Sequence, residues 1–185
     1  MLTSAYASSY INWVRDTTGR IQEPTPPTSG ALEIAYGALD NFKAVSDSIV
    51  YNSAKFKPLF GEKAEASLRA RFQVVKNSAV GITDNEIKTQ VIAAINAYFD
   101  TSNWDFGDKF YFSELAAYLH ATLAPKISSV LIVPADNTKV FGNYFQINSE
   151  PMEIITSAAT VNDIDVVSAV TAAQLNLGNT LQGTF

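Results

Sequence analysis

Residues 83–124 read TDNEIKTQVIAAINAYFDTSNWDFGDKFYFSELAAYLHATLA, and this stretch decides the fold class. Thr83-Asp84-Asn85-Glu86 has the form of a capping box, in which Thr83 accepts from the Glu86 amide and the Glu86 carboxylate returns to the Thr83 amide, so a helix is expected to begin at Asp84. Ile87, Val91, Ile95 and then Tyr98 or Phe99 recur every three to four residues and predict one apolar stripe through about Asp100, with Lys88, Gln90 and Asn96 on the polar face. A second helix is expected from a Ser113 cap, with Leu115, Leu119 and Leu123 on one side. It stops before Pro125, whose ring disfavours helical backbone at the preceding residue.

Downstream the helical period gives way to short β-rich runs, SSVLIV, NYFQIN, MEIITSA and DIDVV, separated by Pro134, turns containing Asn143, and Glu150-Pro151. Strands at roughly ten-residue spacing predict an antiparallel sheet. Upstream, KPLFG (Lys57–Gly61) reads as a turn, Ala64–Ala70 as a short helix and RFQVVK as a strand. Between Ala31 and Val50 the positions Ile34, Ala38, Phe42, Val45 and Ile49 fit one helical face, with a strand from Asp47 left open. The chain is thus expected to be α+β, two adjacent helices packed on a mainly antiparallel sheet.

At the N-terminus Tyr6, Tyr10, Trp13 and Val14 form a helical stripe of large side chains. The following segment, Ile21–Gly30, holds three prolines, which fix φ and remove amide donors, so it is expected to be an extended spacer. At about 3.1 Å per residue it has a reach of roughly 25–30 Å. This predicts an organisation of 1–30 as helical arm and spacer and 31–185 as an α+β assembly domain. Tyr6, Tyr10, Trp13 and Val14 are the subunit-interface candidates, crossing to a neighbouring chain through a two-fold contact.

Composition narrows the function classes. Apolar residues make up 47% of the 185 and charged residues only 17%, a balance that suits subunit contact. There is no cysteine, which removes disulfides, thiolate nucleophiles and cysteine-type zinc sites. No stretch approaches the roughly 20 apolar residues of a membrane span, and the start MLTSAYASSY lacks a basic region followed by an apolar one. The net charge is −5, and beyond Ile127 the single Lys139 faces five carboxylates, which disfavours nucleic acid there. Lys55, Lys57, Lys63, Arg69, Arg71 and Lys76, interleaved with Phe56, Phe60 and Phe72, keep open a nucleic-acid-binding module as one alternative.

Catalytic arrangements are not legible. His120 flanks the stripe of the second helix and has no H-E-x-x-H or G-x-S-x-G context, so it reads as structural. DTSNWDFGDKFYFSE (100–114) resembles a calcium loop only superficially: with Glu114 at the twelfth position, Gly107 falls at the fifth and Asp108 at the sixth. Asp105 and Asp108 are instead expected to make turns, and Asp163 with Asp165 to share the solvent side of a strand. No catalytic residue, metal ligand, cofactor or small-molecule substrate is therefore expected; a small tail-associated enzyme, which needs a convergent acid pair, is the other alternative.

The run GITDNEIKTQVIAAINAYFDTSNWDFGDKFYFSELAAYLH, followed in order by ISSVLIVP, FGNYFQI and EIITSAATVNDIDVV, resembles the C-terminal region of T4-type phage baseplate wedge proteins, relatives of the baseplate-J-like family. The resemblance covers about Lys55 to Leu175. It implies a structural subunit of a contractile tail, two copies per wedge, pairing with each other and with a neighbouring wedge protein in an inner ring around the hub. It also implies location in the virion's baseplate after assembly in the host cytoplasm, no catalytic residues, and a chain that corresponds to part of a several-fold longer protein.

Overall fold

The computed structural model describes residues 1–42, 48–77, 79–136 and 146–167. Four α-helices are present among them: α1 (Ser4–Arg15), α2 (Ser29–Tyr36), α3 (Asp84–Tyr98) and α4 (Phe112–Leu123). The strands are β1 (Lys55–Leu59), β2 (Ala70–Lys76), β3 (Lys109–Tyr111), β4 (Ile127–Pro134), β5 (Gln146–Asn148), β6 (Glu153–Ser157) and β7 (Ile164–Val167). The expected α+β class holds.

Helix α3 starts where its capping box places it. Thr83 Oγ1 accepts from the Glu86 amide and Glu86 Oε2 from the Thr83 amide at 2.9 Å. These bonds hold the Glu86 carboxyl below its ordinary pKa. Ile87, Val91, Ala94 and Ile95 face inward. On the polar face Gln90 Oε1 accepts from Lys126 Nζ at 2.8 Å, whereas the Asn96 side-chain Oδ1 is buried without a hydrogen-bond partner. Helix α4 buries Phe112, Leu115, Leu119 and Leu123 and ends before Pro125. Its cap is not Ser113: Tyr111 holds that position without a side-chain bond and Ser113 lies inside the first turn. Phe112 joins the helix with its ring drawn into the core, and the start lies two residues earlier than a Ser113 cap would place it.

Three strands form the central sheet in the order β4-β2-β7. β2 runs antiparallel to β4 (Phe72 opposite Ile132, Val74 opposite Val130) and parallel to β7 (Phe72 opposite Ile164). α3 touches α4 and β7, and α4 touches β4. The remaining strands form two pairs, β3-β5 antiparallel and β1-β6 parallel. The predicted antiparallel ladders thus stand beside two parallel ones. β1 and β6 are far apart in sequence, so the chain has room for the long return that parallel pairing requires.

KPLFG is the clearest correction. It is not a turn throughout: β1 runs to Leu59, with Pro58 opposite Thr156 on the two-stranded ribbon, where a missing amide is tolerated. The turn is confined to Phe60 (φ +81°), where Gly61 N bonds Leu59 O at 3.3 Å, a strained three-residue turn. It drives the Phe60 ring into the core centre, against Phe72, Phe99, Phe110 and Phe112 at centroid distances of 5.1–6.1 Å. Gly61 is required for a different reason: an added Cβ would lie 1.7 Å from the Ala158 carbonyl oxygen. The expected helix at 64–70 is a single 3₁₀ turn, Ala66–Leu68. Parts of NYFQIN and its Asn143 turns lie outside the described residues, as do Val45 and Lys139.

Candidate assembly surfaces

The interface candidates at the N-terminus lie inside this chain. Tyr6, Tyr10 and Val14 are buried with Phe56 of β1 and Ile154 of β6, and Trp13 is half-buried at their edge. Tyr10 stacks on Phe56 at 4.2 Å with an interplanar angle of 15°. Burial, reinforced by Glu23 and Tyr6, pushes the Tyr10 phenol well above its ordinary pKa. The arm prediction is corrected accordingly: α1 docks on its own β1-β6 ribbon. The backbone fixes it there, with Met1 N donating to Asn52 O at 2.7 Å and Ala54 N to Met1 O at 2.8 Å. Tyr36 Oη donates to Leu2 O. At the other end Lys63 Nζ donates to Trp13 O and, at 2.8 Å, to Asp16 O, and lies 4.9 Å from the Trp13 ring centroid. Those carbonyls are the negative end of the helix, so a cation there is favourable. The Pro-rich segment therefore serves as a return loop from α1 to α2.

The α2 region reverses its expectation as well. Its buried anchor is Leu32, while the predicted inward face points to solvent: Ile34 is 89% and Phe42 85% exposed, with Ala38 exposed between them and Val50 at 72% beyond. Helix α2 ends at Tyr36 and continues as a 3₁₀ turn, Gly37–Phe42. These side chains make the largest apolar exposure among the described residues.

The basic stretch is occupied with holding the fold. Arg71 forms a two-pronged pair with Asp165 across β2-β7, its Nε 2.7 Å from the carboxylate. Lys57 reaches Glu153 at 3.3 Å, Lys76 reaches Asp84, and Arg69 donates to the carbonyls of Ala64 and Glu62. Phe56, Phe60 and Phe72 are buried, which removes the stacking platform that a nucleic-acid strand would use.

The acidic loop behaves as turn chemistry. Asp105 N donates to Asp108 Oδ2 at 2.7 Å, Asp108 O accepts from Ser149 N and Oγ, and Gly107 N donates to Glu153 O at 3.1 Å, with Gly107 at φ +80°. Asp163 is not on the strand with Asp165; it closes a second capping box, accepting from Thr160 N at 2.7 Å. His120 Nε2 lies 3.3 Å from Ser128 O. Among the described residues no three His, Cys, Asp or Glu side chains converge as metal ligands. The cleft beside this loop, about 390 Å³, is walled by Tyr98, Trp104, Asp108, Lys109, Glu114 and Tyr118. In it the Tyr98 phenol, pushed up to about 12 by burial and then by Glu114, stays protonated. No helix of the described residues is long and apolar enough to cross a membrane.

No protein-family model matches the chain, and the curated proteins contain no match to it.

Proposed function

We propose that this chain is a structural subunit of the baseplate wedge of a contractile phage tail, making protein–protein contacts, including contacts with its own copies, in the ring around the hub. The observation that supports a contact role is the α2 face. Ile34 of α2, with Ala38 and Phe42 of the 3₁₀ turn that continues it, contributes almost nothing to the core, so their apolar surface is available to another subunit. The tail setting rests on the ordered resemblance, whose segments fall on the successive elements α3, the Phe106-Gly107-Asp108 turn, α4 and β4. In this reading no residue performs a catalytic step, and the localisation is the virion tail. Gold-labelled antibody to the chain, applied to purified virions, tests it. Label at the distal end of the tail is expected; label confined to the capsid, or a virion free of the chain, overturns the reading.

A further inference from the structure

Among the described residues β4 is the longest strand and lies at an edge of the central sheet, paired on one side with β2. Its sequence, ISSVLIVP, contains no charged residue and pairs high β propensity with apolar side chains. Other strand edges carry what blunts unwanted pairing: Lys55, Lys57 and Pro58 in β1, Glu153 in β6, Asp165 in β7. β4 has only its terminal Pro134. Ser128 and Leu131 are exposed and Ser129, Ile132 and Val133 half-exposed, as an open edge requires. On the α4 side His120 Nε2 approaches its backbone, 3.3 Å from Ser128 O.

An edge strand dictates the chemistry of its occupant, because unpaired amides and carbonyls are satisfied by another extended backbone. We propose that the occupant is β4 of a second copy, paired antiparallel about a two-fold axis at Leu131 to make one six-stranded sheet. Charge selects the copy over a foreign strand: an uncharged β4 offers no counter-ion to a charged partner, whereas against itself it opposes no like charges. The two-fold also preserves side-chain parity. Centred on Leu131 it sets Leu131 against Leu131, Val130 against Ile132, Ser129 against Val133 and Ser128 against Pro134. Each residue then meets one from the same face of the sheet. Leu131, the one large apolar side chain of β4 above the exposure of its neighbours, comes to the centre of the contact. This names the surface for the self-association in the proposed function and rests on that reading only to that extent.

Because the chain has no cysteine, a single introduced thiol reports on one position. Opposed antiparallel residues have Cα atoms about 4.5–5.5 Å apart, within disulfide reach. Under mild oxidation of the full chain, Leu131→Cys is expected to yield a disulfide-linked dimer, as is a mixture of the Ser129→Cys and Val133→Cys proteins. Neither of the latter links alone, since each thiol lies roughly 13 Å from its own copy at about 3.4 Å per residue. Leu131→Lys, which sets like charges face to face, should weaken dimerisation in light scattering about tenfold or more while leaving thermal unfolding unchanged. A monomer at high concentration overturns the inference, as does a dimer that links through Ile34→Cys and not Leu131→Cys. The wedge reading has its own test in the tail location, so a failed edge and a failed wedge assignment give different results.

Discussion

Helix α1, and α2 together with its 3₁₀ continuation Gly37–Phe42, both carry large apolar side chains, and the molecule treats them in opposite ways. The α1 stripe, whose Tyr and Trp side chains suit an interface between subunits, is covered by Phe56 and Ile154 of the same chain. The α2 stripe, whose Ile and Phe side chains suit a core, stands in solvent. Periodicity therefore identifies a face without identifying what covers it. Anchoring makes the difference. α1 is held at its start by the Met1 backbone bonds and at its end by Lys63, whereas α2 is held through Leu32 and the Tyr36 hydroxyl.

The largest expected effect fixes the scale of the main core against which both helices are judged. Ile95 is fully buried on α3, so Ile95→Asp buries an unpaired charge and is expected to cost about 4 kcal/mol or more. Urea unfolding measures it, and an unchanged midpoint would show that the α3 stripe does not face the core. Next comes Tyr10→Ala, which removes the ring stacked on Phe56. A loss of about 3 kcal/mol is expected if α1 is held in place within its own chain. A loss below about 0.5 kcal/mol, the range of an ordinary surface position, would place α1 with the exposed helices.

The main core was legible from residues 83–134 because its signals are local: the capping box, the α3 and α4 stripes and the β-branched run of β4 each need only neighbouring residues. What sequence reasoning missed is non-local. β1 becomes a strand because β6, almost a hundred residues later, pairs with it, and the Pro in KPLFG masks that outcome. Docking of α1 depends on the same ribbon. Lys63 gave no signal of its role as a helix-end anchor, since its partners are backbone carbonyls of a distant segment. As for the candidate surfaces, the α2 apolar positions were found but assigned to the wrong environment. The uncharged run of β4 was visible, yet its place at a sheet edge was not, because strand order is set by long-range pairing.

Alkaline titration sharpens the comparison through a side chain that α2 lacks in its exposed stripe. Burial raises the Tyr10 pKa above its ordinary 10.0, so the folded state retains the phenolic proton more tightly than the unfolded chain. Stability from that difference is fully present below pH 10 and falls as pH rises beyond it, because only the unfolded chain then gains by ionising. Tyr98, with a pKa near 12, acts in the same direction between about pH 10 and 12. Thermal unfolding at pH 9 and pH 11 should therefore show a drop that Tyr10→Phe reduces. An equal drop in the variant would mean that the α1 phenol is as accessible as in the unfolded chain.

The smallest expected effect lies on α2 and its 3₁₀ continuation. Ile34 and Phe42 are 89% and 85% exposed, so replacing both by Ser removes little buried area. Stability should change by no more than about 0.5 kcal/mol, in contrast to the single Tyr10→Ala on α1. The same double variant removes most of the apolar surface offered to another subunit, so it should fold normally yet fail to join the assembly when co-expressed with the other proteins of the tail. The two readouts divide the alternatives: a destabilised variant would show that this face is covered by the chain's own residues, while a stable variant that still assembles would show that contacts form elsewhere. Stable folding with lost assembly is the outcome that makes the stripe an assembly surface.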